Sequence, residues 1–160
     1  MQKPSILIVD DQRDVLTSVR KDLQSLQDFF VLEECESAAE AVEILEQLDA
    51  QGELAALIVC DHIMADQNGV DFLIELNKDP RFKSVKKLLL TGLATHQDAI
   101  AAINMANIDR YIEKPWDPGD LLHNVKILVT QYILRSGVDY QPYLPVLDQD
   151  TVYQELQNRT

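Results

Sequence analysis

Two stretches of this chain, Ser5-Ile6-Leu7-Ile8-Val9 and Ala55-Ala56-Leu57-Ile58-Val59-Cys60, are apolar almost without interruption. A strand with one wet face alternates apolar and polar residues. An unbroken run this short therefore marks a strand covered on both faces, as in a parallel sheet between two layers of helix. Phe29 to Cys35, Lys87-Leu88-Leu89-Leu90 and Arg110-Tyr111-Ile112 are shorter strand candidates. Between them the period becomes helical: Val15, Leu16, Val19, Leu23 and Leu26 form one stripe, and Ala38, Ala41, Val42, Leu45 and Leu48 a second. Ser37-Ala38-Ala39-Glu40 reads as a capping box for that second helix. Val70, Leu73 and Leu76 mark a third helix; Ala99, Ile100 and Ile103 mark a fourth. The fifth has Asp117 as its cap, Pro118 at its first position, Gly137 at its end, and Leu121, Val125, Leu128 and Tyr132 along one face.

Five repeats of strand then helix with short links imply right-handed crossovers and a doubly wound α/β sheet. Five strands favour the flavodoxin-like order 2-1-3-4-5. In that order ligands bind at the carboxyl ends of strands 1 and 3, where the direction of winding reverses. The residues just after Val9 and Cys60 are Asp10, Asp11 and Asp61.

Length and charge narrow the function classes. The 160 residues, 46% of them hydrophobic, suit one domain with one continuous core. With 27 acidic against 14 basic residues the net charge is −13, which repels a phosphate backbone, so direct nucleic-acid binding is not expected. No apolar run approaches the ~20 residues needed to cross a bilayer, and Met1-Gln2-Lys3-Pro4 leads straight into a strand. The expectation is a cytoplasmic protein. Cys35 and Cys60 lack the spacing of a zinc site or disulfide framework, and His62, His96 and His123 show no ligand spacing.

Three carboxylates at one sheet edge repel each other unless a cation or proton compensates, and an all-oxygen donor set suits Mg2+ better than zinc. Such an ion would also neutralise charge during an in-line phosphoryl transfer. Lys114 ends strand 5 and can present its ammonium to phosphate oxygens at the same rim; Thr91 ends strand 4 and offers a hydroxyl. A carboxylate can attack phosphorus to give an acyl phosphate, and Asp61, alone on its strand end, is better separated for this than the adjacent Asp10–Asp11 pair.

Leu7-Ile8-Val9-Asp10-Asp11, Asp61-His62-Ile63-Met64 with Gly69 eight residues after Asp61, Leu90-Thr91-Gly92, and Tyr111-Ile112-Glu113-Lys114-Pro115 resemble, in order, the signatures of response-regulator receiver domains of two-component systems. The similarity covers about residues 4 to 136. The resemblance implies that Asp61 is the phosphoacceptor, receiving a phosphoryl group from a sensor histidine kinase or phosphotransfer protein. It implies that Asp11 binds Mg2+ directly, Asp10 mainly through water, and the Ile63 backbone carbonyl as a further ligand. Thr91 and Lys114 would hold the phosphoryl oxygens, with Tyr111 the aromatic switch partner of Thr91. Such a domain is regulatory and catalyses only its own phosphorylation and dephosphorylation. Its output surface would be the face of the fourth helix, fifth strand and fifth helix, also the route to a homodimer. Trp116 resembles a subset with an extended Lys-Pro motif, though its simpler role is to anchor the start of the fifth helix. Ala65 stands where the family usually has proline, so the loop after Asp61 is expected to be less rigid.

Two other readings carry distinct signatures. A haloacid-dehalogenase-type phosphatase also uses an aspartate nucleophile and Mg2+, but needs D-x-D after strand 1, where this chain has Gln12. A degenerate receiver acting only as a protein-binding module would lack the reactive set. Residues 1–136 are assigned to the receiver and 137–160 to a C-terminal tail or the start of a linker. The latter has two prolines, Pro142 and Pro145, and at most a short helix from Thr151 to Asn158. It is too short for an effector, leaving either a stand-alone receiver or a longer protein with an effector domain beyond residue 160. Finally, Ile63, two residues after Asp61, is expected to overhang the phosphoryl site and hinder water, giving slow self-dephosphorylation.

Overall fold

The computed structural model describes residues 2–92, 97, 100 and 104–159. Five strands form one parallel sheet: β1 Ser5–Val9, β2 Val31–Cys35, β3 Ala55–Asp61, β4 Lys86–Thr91 and β5 Arg110–Glu113. Their order is β2-β1-β3-β4-β5, the flavodoxin-like arrangement expected from sequence. The two unbroken apolar runs are β1 and β3, at the centre of the sheet and buried at every position.

The period-2 pleat of these strands sorts the core into two layers. Ile6, Ile8, Leu57, Val59, Leu88 and Leu90 point to one face, under α1 (Arg13–Asp22) and a long helix, Pro118–Arg135. Leu7, Val9, Ile58, Cys60 and Leu89 point to the other, under α2 (Ala38–Ala50) and α3 (Gly69–Asn77). Both cysteines are buried and unpaired; burial raises the Cys35 thiol to about 12 and holds that of Cys60 well above its usual value.

Helix ends follow their local chemistry. The Ser37 side chain accepts from the Glu40 N–H, while the Glu40 carboxylate reaches back to the Glu36 N–H, one residue earlier than a strict capping box would have it. The Asp117 side chain accepts from the Asp120 N–H, Pro118 occupies the first turn, and Gly137 takes a positive φ of 84° beyond the end.

Several expectations need correction. Strand 2 starts at Val31 and not at Phe29. Val42, placed in the apolar stripe of α2, is 40% exposed. The second helix runs on past its last predicted stripe residue, Leu48, to Ala50 and turns through Gly52, closed by the Glu53 N–H on the Leu48 carbonyl. Of the fourth helix, Ala99 and Ile103 lie outside the described residues, and so does His96. Five helices were expected, yet 3-10 turns at Gln24–Leu26 and Gln141–Val146 and a terminal helix, Gln149–Gln157, are additional.

The 137–160 segment, assigned from sequence to a tail or linker, carries the second 3-10 turn, which joins the same core layer as the long helix, and the terminal helix, which lies against the long helix. Tyr143 is 1% exposed, its ring 5.8 Å from that of Phe30, and its hydroxyl donates to the Gln2 carbonyl. Val146, Leu147 and Val152 join the same core layer as Ile133 and Leu134. The Asp148 N–H donates to the Thr130 hydroxyl at 2.9 Å, and Arg135 pairs with Glu155 at 2.6 Å. No helix among the described residues is long and apolar enough to cross a membrane.

Candidate functional site

The carboxyl ends of β1 and β3 are hydrogen-bonded neighbours, with Val9 opposite Cys60, so Asp10 and Asp61 leave the sheet side by side. One carboxylate oxygen from each of Asp10, Asp11 and Asp61 lies within 4.8 Å of the others. Asp10 and Asp61 are buried, while Asp11 is exposed at the lip. The Lys114 ammonium, carried by β5's end across β4, donates to Asp61 Oδ1 at 2.8 Å and Asp10 Oδ2 at 3.2 Å. The peptide bond from Lys114 to Pro115 is cis.

Burial raises the Asp10 carboxyl above its usual range and the Asp61 charge adds to this, against the Gln12 N–H and the Lys114 ammonium, which pull it down. Burial alone would lower the Lys114 ammonium, but its bonds to Asp61 and Asp10 outweigh that and raise it. Three carboxylates thus face one ammonium, a donor set of oxygens with room for a hard divalent cation.

The loop after Asp61 is fixed by close approach. A Cβ at Gly69 would sit 1.9 Å from the Asp61 carbonyl oxygen, so only glycine allows α3 to start against the end of β3. The Gly69 N–H donates to the His62 carbonyl at 2.7 Å, and the Ala65 N–H to Asp11 Oδ2 at 2.8 Å. That second bond tethers a loop lacking the usual proline. Asp11, Gln12, Asp61, His62, Ile63, Gly92 and Lys114 line an open cleft of about 360 Å³.

The structure therefore brings together Asp10, Asp11, Asp61 and Lys114. Ile63 stands on the lip with 72% of its surface exposed. Thr91 sits one step back: fully buried, it is outside the cleft lining, and its hydroxyl meets His62 Nδ1 at 3.2 Å. Tyr111, opposite Leu89 in the sheet, is 42% exposed. Sequence reasoning missed the His62–Thr91 pairing; the register Asp61↔Leu90 makes neighbours of His62, just past the end of β3, and Thr91, the last residue of β4, and was the signal available. Trp116 does anchor the long helix, packing on the core and donating from Nε1 to Asp22 at 2.7 Å.

Comparison with known proteins identifies the family. The response regulator receiver domain family model matches residues 6–126, and the chain belongs to that family. It is 36% identical over 144 residues to the hydrogenase transcriptional regulatory protein HoxA of Bradyrhizobium diazoefficiens, covering 84% of this chain and 27% of that protein. It is 30% identical over 124 residues to the chemotaxis protein CheY1 of Helicobacter pylori strain 26695, covering 78% of this chain and 95% of CheY1. The chain thus spans about a quarter of the hydrogenase regulator's length. Among solved structures, the signal receiver domain of an HD domain-containing protein from Pseudomonas fluorescens superposes with a TM-score of 0.70 at 27% identity, over 82% of this chain and 98% of that one. A CheY-like receiver domain from Methanospirillum hungatei gives 0.69 at 28% identity, over 82% and 97%.

Proposed function

We propose that this chain is a phosphoacceptor switch in which Asp61 takes a phosphoryl group from a phosphohistidine of a sensor kinase or phosphotransfer protein. The observation that carries the reading is the buried Asp61 carboxylate held 2.8 Å from Lys114 and grouped with Asp10 and Asp11 on one open cleft. An oxygen of Asp61 forms the new bond to phosphorus as the phosphorus–nitrogen bond breaks. The imidazole leaves with that electron pair, and the product is an aspartyl phosphate. Lys114 neutralises a phosphoryl oxygen and keeps Asp61 oriented. Asp11, Asp10 through water, Asp61 and the Ile63 carbonyl would hold Mg2+, which when bound supplies charge for an in-line transfer. Exposed Ile63 offers nothing to orient an attacking water, which favours a long-lived product.

For output, the Thr91 hydroxyl would swing toward the phosphoryl oxygens and Tyr111 would fill the space it leaves. The β5 face and the helices beside it would change, as a surface for an effector, fused or separate, or for a second copy. The reading places the chain in the cytoplasm, apart from nucleic acid and membrane, and regulatory rather than catalytic.

Intact-mass measurement after treatment with acetyl phosphate and Mg2+ tests this. Wild type should gain one phosphoryl group, and none should be gained when Mg2+ is chelated beforehand or in Asp61→Asn. Labelling of Asp61→Asn at the wild-type rate would overturn the assignment.

A further inference from the structure

We propose that His62 is a positioning residue that latches the Thr91 hydroxyl away from the phosphoryl site in the resting state; this rests on the reading of Asp61 and Thr91 given above. Thr91 is fully buried, and its hydroxyl meets His62 Nδ1 at 3.2 Å. Both backbones are pinned. The His62 N–H donates to the Leu90 carbonyl at 3.0 Å and its carbonyl accepts from the Gly69 N–H at 2.7 Å, while the Thr91 carbonyl accepts from the Lys114 N–H at 2.8 Å. The freedom left to Thr91 is rotation about χ1 between staggered wells. In the present well the hydroxyl faces the imidazole and Thr91 contributes nothing to the cleft that holds Asp61 and Lys114.

A threonine hydroxyl has one proton. Whichever of the two groups donates, the hydroxyl cannot stay against Nδ1 and also reach a phosphoryl oxygen on Asp61, so the side chain must turn and the bond to His62 must break. The latch therefore biases the two-state equilibrium toward the resting rotamer, and a ligand at Asp61 works against that bias on binding. Replacing the imidazole by an apolar ring removes the bond and leaves the buried hydroxyl without this partner in the resting state, which raises that state further. Both effects favour the turned rotamer. The net value of one neutral hydrogen bond corresponds to roughly a two- to tenfold shift.

The experiment uses the full chain and beryllofluoride with Mg2+ as the phosphoryl probe. Affinity is read from Trp116 fluorescence, and the Thr91 rotamer from its methyl NMR signal. His62→Phe keeps a ring without the nitrogen; His62→Asn keeps a polar atom close to the Nδ1 position. His62→Phe should bind beryllofluoride roughly two- to tenfold more tightly than wild type, with the Thr91 methyl shifted toward its ligand-bound position before the probe is added. His62→Asn should stay near wild type. In a Thr91→Val background, where no hydroxyl is left to latch, His62→Phe should change the affinity little, which a merely structural role of His62 would not produce. Equal or weaker binding by His62→Phe would overturn the latch, as would His62→Asn behaving like His62→Phe or an undiminished effect in Thr91→Val. Failure of wild type to take up the probe would strike instead at the reading of Asp61.

Discussion

The rim at the carboxyl ends of the strands and the flank covered by the 137–157 segment are built on opposite principles. At the rim, three carboxylates and one ammonium crowd an open cleft of about 360 Å³, and the Asp10 carboxyl is pushed up by its own burial. On the flank, Tyr143, Val146, Leu147 and Val152 close an apolar layer over Phe30, Ile133 and Leu134, and the polar atoms there are paired: Thr130 with the Asp148 N–H, Arg135 with Glu155. The rim carries uncompensated charge that is useful only to a cation or a phosphoryl group. The flank has little chemistry and much burial. Stability and reactivity are thus held in different parts of the same sheet, so each can be changed with limited effect on the other.

The largest break in that division would come from deleting residues 137–160. Burying one large apolar side chain is worth about 1.5–3 kcal/mol, offset by the entropy of ordering the segment, so a net loss of several kcal/mol is expected. This is comparable to a domain's whole stability. Urea unfolding should show a much lower midpoint; an unchanged midpoint would mean the segment only rests on the surface. Tyr143→Ala should follow, costing about 3–5 kcal/mol, while phosphorylation of the folded fraction keeps its rate.

At the rim the signs reverse. An acid raised in the fold is favoured in its protonated form, so ionised Asp10 costs stability above its ordinary value of 3.8. Asp10→Asn should therefore raise the metal-free melting temperature at neutral pH, while weakening Mg2+ binding roughly 10–100-fold. A melting temperature that falls would show that Asp10 is structural. The raised Lys114 ammonium stabilises the fold fully below its ordinary 10.5, a contribution lost as pH rises through its higher folded value. The smallest effect is expected between the two regions: Trp116→Phe, which loses the bond to half-buried Asp22, should cost about 1 kcal/mol in urea unfolding without altering Mg2+ affinity.

The two regions were unequally legible in the sequence. The rim could be read because unbroken apolar runs locate β1 and β3, and topology then fixes where their carboxyl ends meet; Asp10, Asp11 and Asp61 follow without any contact being known. The His62–Thr91 bond was hidden because it joins residues 29 apart at the ends of neighbouring strands and depends on register. The packing of the flank was less legible for a different reason. A single stripe of Leu121, Val125, Leu128 and Tyr132 accounts for one buried face, but Val129, Ile133 and Leu134 lie off it and are also buried. A helix end that is apolar around most of its girth needs a second cover, and that was the available sign that the following residues fold back. Val42 erred the other way: an apolar residue at the edge of a stripe, left 40% exposed.

The most direct test of the rim as a phosphoryl acceptor is to locate the modification chemically. The full chain, phosphorylated by acetyl phosphate in Mg2+, is reduced with borohydride, which converts an aspartyl phosphate to homoserine, and then digested for peptide mass spectrometry. Homoserine at position 61, absent without Mg2+, is the expected result; homoserine at position 10 or 11 instead, or none while phosphate is incorporated elsewhere, would contradict the account.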